Sequence, residues 1–143
     1  MASPVRLNPV SRRYSCDGGD VSLPLSWSAV PRDTVEVDLF IFKFLPVHEE
    51  LVPVWGLAGL RPATRGLSAG HTPRKAVVGR NSFGHMSYSL CPPKGSMVQY
   101  EVLLYALPDK ISAKPGFNVE ALTNAAQKTA KSEGSLLFSY KRQ

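Results

Sequence analysis

The sequence predicts a mainly β protein: an antiparallel β-sandwich with one C-terminal helix and short helical turns. Two long apolar segments, residues 35 to 45 (VEVDLFIFKFL) and residues 97 to 107 (MVQYEVLLYAL), have the β-branched and aromatic content of central strands. The 12 prolines and 11 glycines are spread along the chain and divide it into many short segments. Strands separated by Gly and Pro turns are typical of an antiparallel sandwich or barrel.

The first long strand begins with an alternating pattern. Val35, Val37 and Leu39 alternate with Glu36 and Asp38, after which the segment is continuously apolar. This pattern is typical of a strand that passes from a half-exposed edge into a core. Shorter strands are predicted at residues 5 to 8, 23 to 28, 51 to 60 and 135 to 141.

One helix is predicted directly after Asn118. Val119, Leu122 and Ala126 have helical spacing, and Asn118 is a suitable N-cap. Gly134 lies where the C-cap is expected. The small apolar face of this helix should pack on the sheet. Because 143 residues can bury one core, the whole chain, residues 1 to 143, is predicted to form a single domain.

The net charge and the hydropathy pattern of the chain indicate which kinds of binding partner to expect. The formal net charge is +6, but the basic residues occur in isolated pairs such as Arg12-Arg13, without a basic helix or interleaved aromatics. We therefore expect a mildly basic, solvated surface and no nucleic-acid partner. The opening residues lack the apolar run of a secretory signal, and no segment has the ~20 apolar residues that span a bilayer. A cytoplasmic protein without integral membrane association is expected.

Chemically reactive side chains are few and dispersed. His48, His71 and His85 have no paired spacing, so no metal site is predicted. Motifs of the GxSxG, HExxH and phosphate-loop kinds are absent, so no cofactor is expected and no catalytic residue is assigned. Cys16 and Cys91 are either two small apolar core residues or one disulfide pair.

Three segments of the sequence carry a family resemblance. They read YSCDGGDVSLPLSWSAVP at 14 to 31, GRNSFGHMSYSLCPPKG at 79 to 95, and QYEVLLYALP at 99 to 108. In this order they resemble the phosphatidylethanolamine-binding protein family, in its bacterial Raf-kinase-inhibitor-like branch, over almost the whole chain. The resemblance implies a β-sandwich with a small cavity for phosphate or a phospholipid head group. It also implies that the two cysteines are neighbours, with a disulfide in an oxidising setting.

The residues that line the family's cavity are altered in this chain. The resemblance implies a DPDxP segment, a His before a Trp, and an HRY segment around the cavity. This chain has Phe42-Lys43-Phe44-Leu45-Pro46, then Val54 before Trp55, and Val98-Gln99-Tyr100 at those places. Both carboxylates and both histidines are replaced. Because charge-assisted hydrogen bonds contribute ~1.5–3 kcal/mol each, we expect poor phosphate affinity.

The altered segments predict an apolar pocket in place of the phosphate site. Trp55 would supply a flat wall, and Tyr88 with its neighbours would supply orienting hydrogen bonds. Two residues have an alternative interpretation: Trp55 as a core residue, and His85 as a solvated turn residue. The predicted ligand-binding set is Phe42, Phe44, Val54, Trp55, His85, Ser87, Tyr88 and Ser89.

Three functions are compatible with such a pocket. The first is a protein that binds an apolar or polycyclic small molecule. The second is an enzyme of secondary metabolism that folds a flexible substrate for intramolecular cyclisation or rearrangement, since preorganisation alone lowers a barrier. The third is a kinase-inhibitor-like protein that acts through its surface.

Overall fold

The computed structural model describes residues 5–7, 10–45 and 50–143. This part of the chain contains eight strands, one α-helix and a 3-10 turn at Arg12–Tyr14. In chain order the elements are β1 (Val5–Leu7), β2 (Leu25–Ser26), β3 (Glu36–Leu45), β4 (Glu50–Leu60), β5 (Gly66–Leu67), β6 (Val77–Val78), β7 (Met97–Leu107), α1 (Val119–Thr129) and β8 (Ser132–Lys141).

A six-stranded sheet forms the centre of the molecule. Its strand order is β1-β8-β7-β3-β4-β6. Neighbouring strands are antiparallel except at one edge, where β1 runs parallel to β8. A second, two-stranded antiparallel sheet consists of β2 and β5. The predicted mainly β fold with antiparallel strands and one helix is confirmed.

The large sheet separates two apolar cores. Successive side chains of a strand point to opposite faces, so β3 contributes to both. On one face, Leu39 and Ile41 pack with Trp27 and Leu67 from the region of the small sheet. On the other face, α1 packs on the sheet through a cluster of buried residues: Phe40, Phe42, Tyr105, Leu107, Val119 and Ala126.

The start of β3 differs from its prediction. Glu36 is 7% exposed and Asp38 is fully buried, whereas Val35 is 43% exposed. Backbone amides donate hydrogen bonds to both carboxyl groups. The Gly59 amide donates to Asp38 Oδ1 at 3.0 Å, and the Ile111 amide donates to Glu36 Oε1 at 3.3 Å. Gly59 has a φ of +79°, which glycine adopts without strain. The expected half-exposed edge is therefore wrong, because loop and bulge amides cover the acidic residues.

The helix begins as predicted but ends earlier than its glycine signal indicated. Asn118 caps it, and its side-chain oxygen accepts a hydrogen bond from the Ala121 amide at 2.8 Å. Ala130 is the C-cap. The prediction of a C-cap at Gly134 is wrong because β8 begins at Ser132 and incorporates that glycine.

Some predicted features include residues outside the described ranges. The predicted strand at 5 to 8 is observed as β1 up to Leu7, and Asn8 lies outside the described residues. Pro46 and His48 lie outside them as well. Within the described ranges, no helix is long and apolar enough to cross a membrane.

Candidate functional site

The first candidate region lies on the face of the sheet that carries Trp55. Trp55 is 2% exposed, and its ring meets that of Tyr88 edge to face, with ring centroids 5.5 Å apart. The Tyr88 hydroxyl donates to the Tyr14 carbonyl at 2.6 Å. Val54 is buried in the same apolar cluster. The ring surfaces and the hydroxyl that were expected to meet a ligand are therefore engaged within the protein.

The loop at 79 to 95 is ordered by Asn81, which the sequence analysis did not single out. Asn81 is 5% exposed, and its Nδ2 donates to the Ser87 carbonyl at 2.7 Å. Its Oδ1 accepts from the amides of Phe83 and His85 at 2.9 and 3.0 Å. The side chains of Ser87 and His85 are exposed, away from the aromatic core. An Asn in a Gly- and Ser-rich loop is a known turn signal and could have identified this residue.

A disulfide joins this loop to the N-terminal segment. Cys16 and Cys91 are bonded, with their Cα atoms 5.3 Å apart, which confirms that they are neighbours. Beside them, Asp20 accepts from the Ser89 hydroxyl at 3.2 Å and from the Leu90 amide at 3.0 Å. The Ser89 hydroxyl therefore also has a partner within the protein.

Arg142, at this end of the molecule, is paired with a carboxylate of the same chain. Arg142 Nε donates to Asp17 Oδ1 at 3.0 Å, and Arg142 Nη1 donates to the Pro92 carbonyl at 2.8 Å. The Tyr140 hydroxyl also donates to Asp17. Hydrogen bonds from Tyr140, the Gln143 amide and Arg142 hold the pKa of Asp17 at about 2. The guanidinium is thus committed to a carboxylate and a carbonyl of the same chain.

The predicted ligand-binding residues fall on two faces of the sheet. The β3–β4 ladder has a bulge at Val54, between the Phe42–Pro53 and Ile41–Trp55 pairs. Trp55 pairs with Ile41, and because successive side chains of β3 alternate, Phe42 belongs to the helix-side core and Trp55 to the opposite one. Contact of these residues with a ligand stays a prediction, but they do not line a single cavity. The sheet separates Phe42 and Phe44 from Val54, Trp55 and Tyr88.

The helix-side face carries an open cleft between the sheet and α1. Its volume is about 950 Å³. Leu51 and Leu103 contribute most of the apolar surface from the sheet, since Phe42 and Tyr105 are each only 2% exposed, and Asn124 lines the helix wall. The remaining lining includes the carboxylates of Glu50, Glu101, Glu120 and Glu133. Apolar surface with charged groups at defined places is typical of a small-molecule site.

The register of β7 and β8 sets the arrangement of these groups. Glu101, Leu103 and Tyr105 alternate along β7 and share one face of the sheet. Across the ladder, Ser135 lies opposite Leu103, and Glu133 lies opposite Tyr105. The two glutamates are therefore placed on either side of an apolar and hydroxyl-bearing middle section.

The carboxylates of the cleft influence one another. Burial, followed by the charge of Glu133, raises the pKa of Glu101. Burial, followed by the charges of Glu133 and Glu101, raises the pKa of Tyr105. Among the described residues, no group of three or more His, Cys, Asp or Glu side chains could hold a metal ion. The cleft thus concentrates negative charge without the clustering of a metal site.

Sequence reasoning missed this cleft. The available signal was Glu101, a carboxylate in the middle of an apolar strand and in alternation with Leu103 and Tyr105. That signal does not show which strand lies alongside or where the helix packs. Only the β7–β8 register brings Glu133 to the same face.

A model of the family described as "Phosphatidylethanolamine-binding protein" matches residues 3–141 of the chain. The chain belongs to this family. A UPF0098 protein of Methanothermobacter thermautotrophicus is 31% identical to it over 139 residues, which cover 93% of this chain and 91% of the relative.

Solved structures agree with this membership. The crystal structure of CT736, a phosphatidylethanolamine-binding protein homologue from Chlamydia trachomatis, has a TM-score of 0.85 at 28% identity, covering 99% of this chain and 94% of that one. YbcL of Escherichia coli, a member of the mammalian family by its description, has a TM-score of 0.84 at 21% identity, covering 99% and 95%. The likeness to YbcL shows the fold alone.

Two regions of this member of the phosphatidylethanolamine-binding protein family are candidate ligand sites. One is the aromatic cluster around Trp55, where the family resemblance implied a cavity and where side chains are closely packed. The other is the acidic cleft beside α1, which is open to solvent. Loss of the family's anion site stays a prediction from the sequence.

Proposed function

We propose that this protein binds a small molecule in the cleft between α1 and the large sheet. The observation that carries the proposal is the cleft itself, about 950 Å³ in volume and lined by both aromatic and charged side chains. This volume lies within the range of about 300 to 1,000 Å³ that is usual for small-molecule sites. Of the residues predicted from the sequence, Phe42 is the one that lines this cleft.

Small-molecule binding is the function predicted from the sequence, but the proposed site is the cleft beside α1 and not the region around Trp55. At the place where the family resemblance implies a cavity, Trp55 and Tyr88 are packed in the apolar core and the Tyr88 hydroxyl is bonded to Tyr14. The cleft beside α1, in contrast, has the exposed Leu51 and the half-buried Leu103 in its lining. Close packing of Trp55 and Tyr88 is also what the kinase-inhibitor-like hypothesis expects, so the open cleft is the reason to place ligand binding first. The cyclisation hypothesis remains a prediction, since it needs a reaction as well as a site.

The predicted cytoplasmic location also remains a prediction. The closed Cys16–Cys91 disulfide weighs against it, because such bonds persist mainly in oxidising compartments.

A blocking substitution tests the proposed site. Asn124 is an exposed helix residue that lines the cleft, so Asn124→Trp should fill part of the cleft without disturbing the core. Ala125 is an exposed neighbour that does not line it, so Ala125→Trp is the matched control. With Nile red, a neutral polarity-sensitive dye, we expect saturable fluorescence enhancement by the parent. Asn124→Trp should weaken it by about ten-fold or more, because the cleft supplies the apolar contact surface.

The control decides between the cleft and the rest of the surface. Ala125→Trp should bind the dye as the parent does. Equal binding by the parent and Asn124→Trp would contradict the proposed site, and so would the absence of any saturable binding.

A further inference from the structure

The cleft beside α1 is acidic on a chain that is basic overall. Four glutamates line it, Glu50, Glu101, Glu120 and Glu133, while no described Lys or Arg does. The formal net charge of the chain is nevertheless +6. The described salt bridges, Lys131–Asp33 and Arg142–Asp17, involve none of these four. Within the described part of the chain, the negative charge of the cleft therefore has no salt-bridge partner.

One of the four carboxylates is partly withdrawn from water: Glu101 is half-buried, whereas Glu50, Glu120 and Glu133 are exposed. Glu101 lies beside Phe42 in the β3–β7 ladder, and both burial and Glu133 oppose its ionised form. The charge of Glu133 acts more strongly on this half-buried carboxylate than on an exposed one, since the local dielectric is lower. A cation in the cleft would relieve that repulsion.

Tyr105 provides an independent observation. The residue is 2% exposed and lines the cleft, yet its hydroxyl makes no hydrogen bond within the described residues. This hydroxyl is not among the fully buried unpaired atoms of the described residues, so it is accessible from the cleft. The β8 neighbour of Tyr105 across the ladder is Glu133. A polar ligand group in the cleft would give this hydroxyl a partner at the carboxylate end.

The spacing of the charges favours an extended organic cation over a metal ion. Tyr105, the ladder partner of Glu133, lies four positions beyond Glu101 on β7, which is roughly 13 Å along a strand. Leu103 lies between them and offers an apolar surface suited to methylene groups. The described carboxylates do not form a cluster that could hold a metal ion.

We infer that the cleft binds a linear aliphatic amine with an ammonium group near each end, a diamine or polyamine. One ammonium is held at Glu101, the other at Glu133 and the Tyr105 hydroxyl, and the methylene chain lies over Leu103. The inference rests on the proposed function, because it specifies the chemistry of the ligand in the same cleft.

Isothermal titration calorimetry with 1,8-diaminooctane at low salt tests this inference. The neutral isostere 1,8-octanediol and the monoamine octylamine are the matched ligand controls. We expect the diamine to bind at least about ten-fold more tightly than octylamine, because two charge-assisted contacts form instead of one. The diol should bind more weakly still. Raising the salt concentration should weaken diamine binding through screening.

Single substitutions locate the contacts. Glu101→Gln and Glu133→Gln should each weaken diamine binding by about ten-fold, and Tyr105→Phe by a few-fold. Asp109→Asn removes the same unit of charge from an exposed position outside the cleft and should leave binding unchanged. Thermal unfolding of each variant confirms that it is folded.

The two proposals can fail separately. If Nile red binding is sensitive to Asn124→Trp but the diamine binds no better than the diol, the cleft is a site and the amine inference is wrong. An equal loss of binding in Asp109→Asn and Glu101→Gln would also overturn it, since it would indicate general charge attraction. If neither probe binds, both proposals fail.

Discussion

Between pH 5 and pH 8, an Asp38→Asn variant should lose much less stability than the parent does. Asp38 is fully buried. Within the described residues, its Oδ2 has no hydrogen-bond partner. Burial raises its pKa from the ordinary 3.8 to about 8. The neighbouring Glu36 carboxyl adds to this effect, and the Gly59 amide opposes it.

The sign of the pH dependence follows from this raised pKa. Between about pH 4 and pH 8 the folded protein keeps a proton on Asp38 that the unfolded chain releases, so stability falls as pH rises. The stabilising contribution of protonated Asp38 is fully present below the pKa of the unfolded chain. It is lost as the pH rises through the pKa of the folded protein. One proton corresponds to about 1.4 kcal/mol per pH unit. Asn stays neutral and can still accept from Gly59, so the variant should be more stable by about 4 kcal/mol at pH 7.

Urea unfolding at a series of pH values measures this difference directly. The gap between Asp38→Asn and the parent should widen steadily from pH 4.5 to pH 8. Asp109→Asn, at an exposed position, should follow the parent throughout. Parallel curves for Asp38→Asn and the parent would show that Asp38 is ionised in the folded protein at neutral pH.

Removal of the disulfide should also have a large effect. Cys16 and Cys91 are separated by 75 residues, and closing a loop of that length restricts the unfolded chain. In the chain-entropy description this stabilises the folded state by about 4 kcal/mol. The double variant Cys16→Ala with Cys91→Ala should therefore have a free energy of unfolding lower by about that amount.

Reduction of the parent provides the matched control for the disulfide. With excess dithiothreitol, the parent should unfold at about the same urea concentration as the double variant. The oxidised parent should unfold at a distinctly higher concentration. If oxidised and reduced parent unfold together, the bond does not stabilise the fold and its role lies elsewhere.

Local patterns in the sequence predicted the parts of the fold that depend on them. The apolar segments at 35 to 45 and 97 to 107 became β3 and β7, and Asn118 caps α1. Gly134 misled the prediction because a glycine after a helix can either end it or belong to the next strand. Glu36 and Asp38 misled it because their burial depends on amides of distant residues, Ile111 and Gly59.

The candidate site could not be predicted from the sequence, because it depends on contacts between distant segments. Alternation along β3, together with the bulge at Val54, places Phe42 and Trp55 on opposite faces, although both were expected around one pocket. The acidic cleft requires the β7–β8 register and the packing of α1 on the sheet. Its residues come from five elements, so no single segment of the sequence could identify it.

An amide NMR titration with indole, a flat neutral probe, tests the central claim that ligands bind in the cleft beside α1. We predict that the perturbed backbone amides will include those of Tyr105, Asn124 and Gly134, which line the cleft. Shifts that cluster at Trp55 and Tyr88, with the cleft residues unchanged, would contradict the account. That result would place the binding site on the opposite face of the sheet, where the family resemblance first implied it.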